Sequence, residues 1–478
     1  MDQLNNDLLF LILRELKNDY KSLYSCLLVN RTWCVTAVPI LWRDPGQVTP
    51  FKKSQDKLFK IILLHLSEES RDILKNQGMN NIIAETYRRP LFDYINFWKY
   101  LDLHFVERLI PRSKIGKANI AIIRNEILSL FINRSTKIIH LLIPQKFDCQ
   151  LHLIPGAEHC LSELKSFQCD DDIAQNILEG LTRIIKSIKK LTLNVDHIIT
   201  ENHGFIKLID IQKNLNDFSL FNFSSFKNES FYKSLEESLI KHADTIQYLR
   251  ISWNPTTKFL SYFVNLLTLK IVMPFYNNWE DPNWNDSNYL KNLSLPTLKI
   301  LIVCNAPLNA LLNLIENTTN NLSEINISIH CYALRTNGSK MLVRAICQNC
   351  PNIRYLKLSL DGNLLISEFE NLLINCQFLN RLIFNVMNDY EFSWNELFQI
   401  LAKSSPIGLF KFGFYSSKAF KLNDVKSFFD NWKNRNPILL KLIHPSIATD
   451  QRLVDLIEQY KTEGVIKKYS FDFGEYFE

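Results

Sequence analysis

The chain of 478 residues is 46% hydrophobic and 22% charged, the balance of a folded protein. Its net charge of +6 is scattered in short pairs such as Arg88-Arg89 and Lys467-Lys468, which argues against a nucleic-acid binder with its concentrated basic stripe. With 12 glycines and no biased run, collagen-like, low-complexity and disordered classes are excluded as well.

The first predicted element is a helix in Leu4 to Leu16, where Leu8, Leu9, Ile12, Leu13 and Leu16 recur at helical spacing. Asn5 or Asn6 suits its N-cap and Asp7 the positive end of its dipole. A second helix is expected over Lys21 to Val29, and a third after Asn30, carrying Trp33. Three short helices bury little surface alone, so their apolar faces need a partner: either the following domain or another chain.

The order of residues in this segment resembles an F-box. The pattern is carried by Leu4-Asn5-Asn6-Asp7-Leu8-Leu9, Ile12-Leu13, Leu16, Leu28-Val29-Asn30-Arg31-Thr32-Trp33 and Leu41-Trp42, with Asn5 where the family has proline. The resemblance covers about residues 2 to 45, and the segment is read as residues 1–45. It implies binding to Skp1, and through it to a cullin ubiquitin-ligase core. By that resemblance Leu4, Asn5, Leu8, Leu9, Ile12 and Leu13 face Skp1, while Val29 and Trp33 hold the helices together.

Residues 46–135 read as a helical linker, with Pro45-Gly46 and Pro50 marking the exit from the first segment. Its aromatic stripe (Phe92, Tyr94, Phe97, Trp98, Tyr100, Phe105) is expected to be core.

From 136 to 478 one phrase recurs: apolar, two residues, apolar, one residue, apolar. Copies include Ile138-Leu141-Ile143, Ile188-Leu191-Leu193, Ile246-Leu249-Ile251, Leu298-Leu301-Val303, Ile353-Leu356-Leu358 and Ile407-Phe410-Phe412. The spacing between central residues varies from 20 (Leu249 to Leu269) to 32 (Leu269 to Leu301), around the period of leucine-rich repeats. Asn349-Cys350-Pro351 and Asn375-Cys376-Gln377 resemble the cysteine-containing class of these repeats, often paired with F-boxes. The expected fold is therefore α/β: three helices and a helical linker, then a leucine-rich repeat solenoid with a curved parallel sheet inside and helices outside.

The residue between the last two apolar positions of each copy points out from the sheet. Thr192, Ser219, Arg250, Lys270, Ile302, Asn326, Lys357, Ile383, Lys411 and Lys441 give five basic and no acidic side chains, against 55 Lys and Arg in 478 residues overall. Arg250, Lys270, Lys357, Lys411 and Lys441 are thus expected to bind an acidic or phosphorylated target, unless strands here merely favour solvated lysines.

No phosphate loop, dinucleotide fingerprint, HExxH or GxSxG motif occurs, so no catalysis, cofactor or metal is expected. Cys347-x-x-Cys350 reads as packing, and Cys149, His152, His159 and Cys160 match no zinc spacing. Met1 runs directly into Asp2 with no basic leader, and apolar runs such as Phe59 to Leu66 are short, so the expected place is the cytosol or nucleus, with reduced thiols and no membrane span. The function implied is a substrate adaptor of an SCF-type ubiquitin ligase, similar to the lineage-expanded F-box families of fungi. The alternative is a repeat scaffold coupled to no ligase.

Overall fold

The computed structural model describes residues 6–48, 52–80, 82–83, 90–111, 115–195, 203–222, 228–273, 293–318, 320–328, 338–360, 366–386, 392–444 and 450–471. They fall into two units, residues 1–215 and 216–478.

The first unit opens with helices α1 (Asn6–Glu15), α2 (Tyr20–Cys26) and α3 (Arg31–Leu41). Short polar side chains start the second and third: Asp19 accepts from the Ser22 amide and Asn30 from the Trp33 amide, which satisfies N–H groups left free at a helix start. Leu9, Leu13, Leu23, Cys26, Ala37 and Leu41 bury one another, with Leu16 and Trp33 packed against them. The trio therefore has a small core of its own.

Helices at Lys52–Leu63, Glu68–Asn76, Leu103–Leu109 and Lys117–Phe131 follow. Of the aromatic stripe, Trp98 and Phe105 are core and the other four are half-buried: Trp98 is edge-on to Phe131 at 4.5 Å, Phe105 lies beside it, and Tyr94 stacks on Trp42 at 4.2 Å. One expectation needs correcting. The stretch read as wholly helical contains the first strand, β1 (Tyr100–Asp102), paired parallel to β2 (His140–Ile143). Three residues are too few to show a two-residue period, and the Arg43 carbonyl, accepting from the Lys99 and Tyr100 amides, holds them extended. β3 (Ser166–Asp170) and β4 (Lys190–Val195) complete this unit's strands in chain order.

The second unit carries β5 (Asp217–Asn222), β6 (Tyr248–Ile251), β7 (Thr268–Val272), β8 (Ile300–Cys304), β9 (Glu324–Ser328), β10 (Tyr355–Leu360), β11 (Arg381–Val386), β12 (Lys411–Ser416), β13 (Ile438–Ile443) and β14 (Ile466–Ser470). Each is parallel to the next in chain order, with helices such as Leu308–Asn317, Gly338–Asn349 and Trp394–Ser404 between. This is the stacked strand–helix fold of leucine-rich repeats. The central position of each phrase forms one inward row: Phe218, Leu249, Leu269, Leu301, Ile325, Leu356, Leu382, Phe412 and Leu440 are all buried. A single repeat cannot cover such a residue; its neighbours do.

Asparagine, abundant in the sequence, stitches the turns before the strands. Asn216, Asn265, Asn321, Asn352 and Asn436 donate through Nδ2 to the carbonyls of Thr245, Asp244, Pro296, Asn320 and Ile407, each in another repeat. These bonds give partners to turn carbonyls that the strand ladders leave unpaired. The cysteines do related work. Cys350 and Cys376 are fully buried, the Cys376 thiol donates to the Cys350 carbonyl, and burial pushes both thiols up to about 12.

At Gly156 the backbone has φ of 90°, and an added Cβ would lie 2.6 Å from the Arg134 amide nitrogen. Both the left-handed backbone and the fixed neighbour resist a side chain. Gly156→Ala should therefore destabilise the first unit by about 2 kcal/mol or more, read as an earlier urea transition for that unit. An unchanged midpoint would show that the turn relaxes freely.

Candidate partner-binding surfaces

Two surfaces stand out. The first is the outside of the helical trio. Residues i and i+4 share a helical stripe, and α1 has two apolar stripes side by side. Leu9 and Leu13 form the inner one, at 1% and 0% exposure; Leu8 and Ile12 form the outer one, at 50% and 44%. Phe10 and Leu11 on α1, and Leu28 and Val29 after α2, are exposed too.

This corrects the sequence-based assignment in three places. Leu9 and Leu13 hold the trio together and present nothing to a partner. Val29, expected inside, lies outside. Trp33 does pack against the core. Leu4 and Asn5 lie outside the described residues, so the position of the family proline is not placed. Phe10, Leu11 and Leu28 were missed, because a leucine-rich helix does not declare from its own sequence which stripe its neighbours will cover.

The second surface is the open face of the sheet in the second unit. Along the strands the in-register row reads Ser219, Arg250, Lys270, Ile302, Asn326, Lys357, Ile383, Gly413, Lys441. Arg250, Lys270 and Lys357 thus take the expected outward position and are half-buried.

Lys411 does not. The buried phrase of that repeat is Leu409-Phe412-Phe414, with Ile407 exposed. Gly413 therefore occupies the row, and Lys411 lies two residues earlier, opposite Arg381. The sequence allowed both readings because apolar residues stand at 407, 409, 410, 412 and 414. Lys441 sits in the row but is 2% exposed, so it lines the floor. Around Gly413, Arg381, Lys411 and Lys441 line one shallow cleft. Burial, then the Arg381 charge, lowers the pKa of the Lys411 ammonium.

At the other end of the row Arg250 and Lys270 face each other across β6 and β7. The Arg250 guanidinium lies 3.6 Å from the Phe221 ring centroid, a cation–π distance. Burial lowers both pKa values, and for Lys270 the Arg250 charge adds to it. Burial pushes the nearby Cys304 thiol up, against the pull of Lys270, Lys357 and Arg250.

Below this end the turn after β6 is anchored by Glu236, which is fully buried. Its two carboxyl oxygens accept from Trp253 Nε1 at 2.9 Å, the Thr256 amide at 2.8 Å, Thr256 Oγ1 at 3.0 Å and Thr257 Oγ1 at 2.6 Å. A buried carboxyl group without such donors would be costly. No sequence motif announces this anchor.

Among the described residues no group of three His, Cys, Asp or Glu is placed to hold a metal ion. Cys160 bonds with Thr136 Oγ1 at 3.2 Å, and the His152 ring fills the space left by the absent side chain of Gly180. Among the same residues no helix is long and apolar enough to cross a membrane.

No protein-family model matches the sequence, and a search of curated proteins finds no relative. Among solved structures the chain is similar to the leucine-rich repeat-containing protein LegL7 from Legionella pneumophila, at 13% identity and a TM-score of 0.38 over 63% of this chain and 89% of that one. It is also similar to the Rad7 and Elc1 complex in yeast, at 17% identity and a TM-score of 0.36 over 81% of this chain and 95% of that one. At these scores neither likeness carries an argument about function. The repeat fold rests on the chain's own strand order and buried rows.

Proposed function

We propose that this chain is a non-enzymatic substrate receptor of an SCF-type ubiquitin ligase, working in the cytosol or nucleus. The helical trio docks Skp1, Skp1 links it to the cullin core, and the open sheet face takes an acidic or phosphorylated protein target. The ubiquitin chemistry belongs to the partners.

One observation supports this most. After the trio has closed its own core, Leu8, Phe10, Leu11, Ile12, Leu28 and Val29 remain exposed, in the segment whose residue order resembles an F-box. Each aliphatic anchor is worth roughly 1.5–3 kcal/mol when buried, enough for a few to sustain an interface after association costs. Skp1 is therefore the occupant expected for that surface.

The test is direct. The purified full-length chain, mixed with Skp1, should elute as a one-to-one complex in size-exclusion chromatography with light scattering. Separate elution at micromolar concentrations would defeat the adaptor reading. A second reading, a repeat scaffold coupled to no ligase, is favoured by the narrowing of the apolar face once Leu9 and Leu13 are set inside. It predicts that separate elution together with retained target capture.

A further inference from the structure

The pair Arg250 and Lys270 has an unusual electrostatic position. The two residues are direct in-register neighbours on β6 and β7, and like charges directly opposite on a sheet repel. Both are half-buried, where screening by salt is weaker than in open solvent. Among the described residues neither cation makes an ion pair, and Arg250 Nε is out of solvent with no hydrogen-bond partner. Among the described residues these two repelling, partly desolvated charges have no counter-charge, an arrangement that destabilises the chain.

The surroundings make this an organised site rather than a loose pair. The Phe221 ring centroid lies 3.6 Å from the guanidinium carbon, a contact that narrows the positions open to its N–H donors. The turn that follows β6 is held by the buried Glu236 network described above. The next two row positions, Ile302 and Asn326, are uncharged. Lys357, the next row position, reaches the same Cys304 thiol as Lys270 and Arg250, so the positive charge gathers at one spot, unlike the repeated contacts of a nucleic-acid track.

We propose that Arg250 and Lys270 together form a binding site for a single phosphate monoester, supplied by a phosphorylated side chain of the bound polypeptide. A monoester carries close to two negative charges at neutral pH and three acceptor oxygens, which matches one fork donor plus one ammonium. A carboxylate brings one charge and leaves the pair half-neutralised. The inference rests on the open sheet face being the target surface; it does not depend on Skp1.

The experiment uses the full-length chain and three probes at matched ionic strength: inorganic phosphate, N-acetyl-O-phosphoserine amide and N-acetylglutamate amide. Calorimetric titration should show saturable binding of both phosphates and at least about tenfold weaker binding of the glutamate probe. Arg250→Gln and Lys270→Gln should each weaken phosphate binding by about tenfold or more. Without any anion both variants should melt no lower than the parent, because repulsion is relieved. Tighter binding of the phosphoserine probe than of inorganic phosphate assigns the site to a phosphorylated polypeptide; the reverse order overturns that source. Equal affinity for the glutamate probe, or undiminished phosphate binding by both variants, overturns the site. A lower melting temperature of the anion-free variants overturns it too, since that marks a structural role. Skp1 capture run on the same variants should be unchanged, so failure here and failure of the ligase reading are told apart.

Discussion

Aspartate at both Leu8 and Ile12 should abolish Skp1 capture by the full-length chain and leave its thermal unfolding in place. These side chains are 50% and 44% exposed, so charging them costs the free chain little. In a complex each would lose roughly 1.5–3 kcal/mol of burial, which together weakens binding on the order of 10²–10⁴-fold. The control is the neighbouring stripe. Leu9→Asp with Leu13→Asp places two charges inside the core of the trio and should melt the three helices, losing Skp1 by unfolding instead. Circular dichroism separates the two causes. A Leu8→Asp, Ile12→Asp variant that still captures Skp1 with parental affinity would remove α1 from the interface.

The largest expected loss of stability lies at Glu236. Replacement by leucine strands the Trp253 indole N–H, the Thr256 amide and the hydroxyls of Thr256 and Thr257. Each buried donor left without an acceptor costs about 1–3 kcal/mol, so the loss should reach several kcal/mol. Glu236→Gln keeps the shape, but its amide group offers donors to donors, so the cost should fall between parent and leucine. Hydrogen exchange followed by mass spectrometry is the suitable readout, because a repeat array unfolds in parts. Exchange should quicken first in the peptide covering Ser252 to Phe259. Were that peptide as protected in Glu236→Leu as in the parent, the anchor would have no energetic role. The change also reaches the proposed phosphate site, since the loosened turn directly follows β6 and Arg250.

Sequence alone determined the repeat. The apolar phrase recurs because every strand must bury alternate residues against its neighbours, and that demand is local enough to be written in each copy. The caps were equally plain at Asn30, whose side chain bonds an amide three residues on. Core packing was expected of the connector's aromatic stripe and is met at Trp98 and Phe105.

What only the tertiary structure decided is which of several equivalent apolar residues goes inside. Leu8 and Leu9, or Ile407 and Leu409, are alike in hydropathy; the neighbouring helix or strand chooses between them, and a shift of register carries Lys411 off the row with it. The Glu236 anchor and the Arg250–Lys270 pair depend on residues brought together from separate repeats, 17 to 21 and 20 positions apart. Side-chain burial and long-range pairing are properties of the packed array, and no single stretch of chain contains the partners that set them.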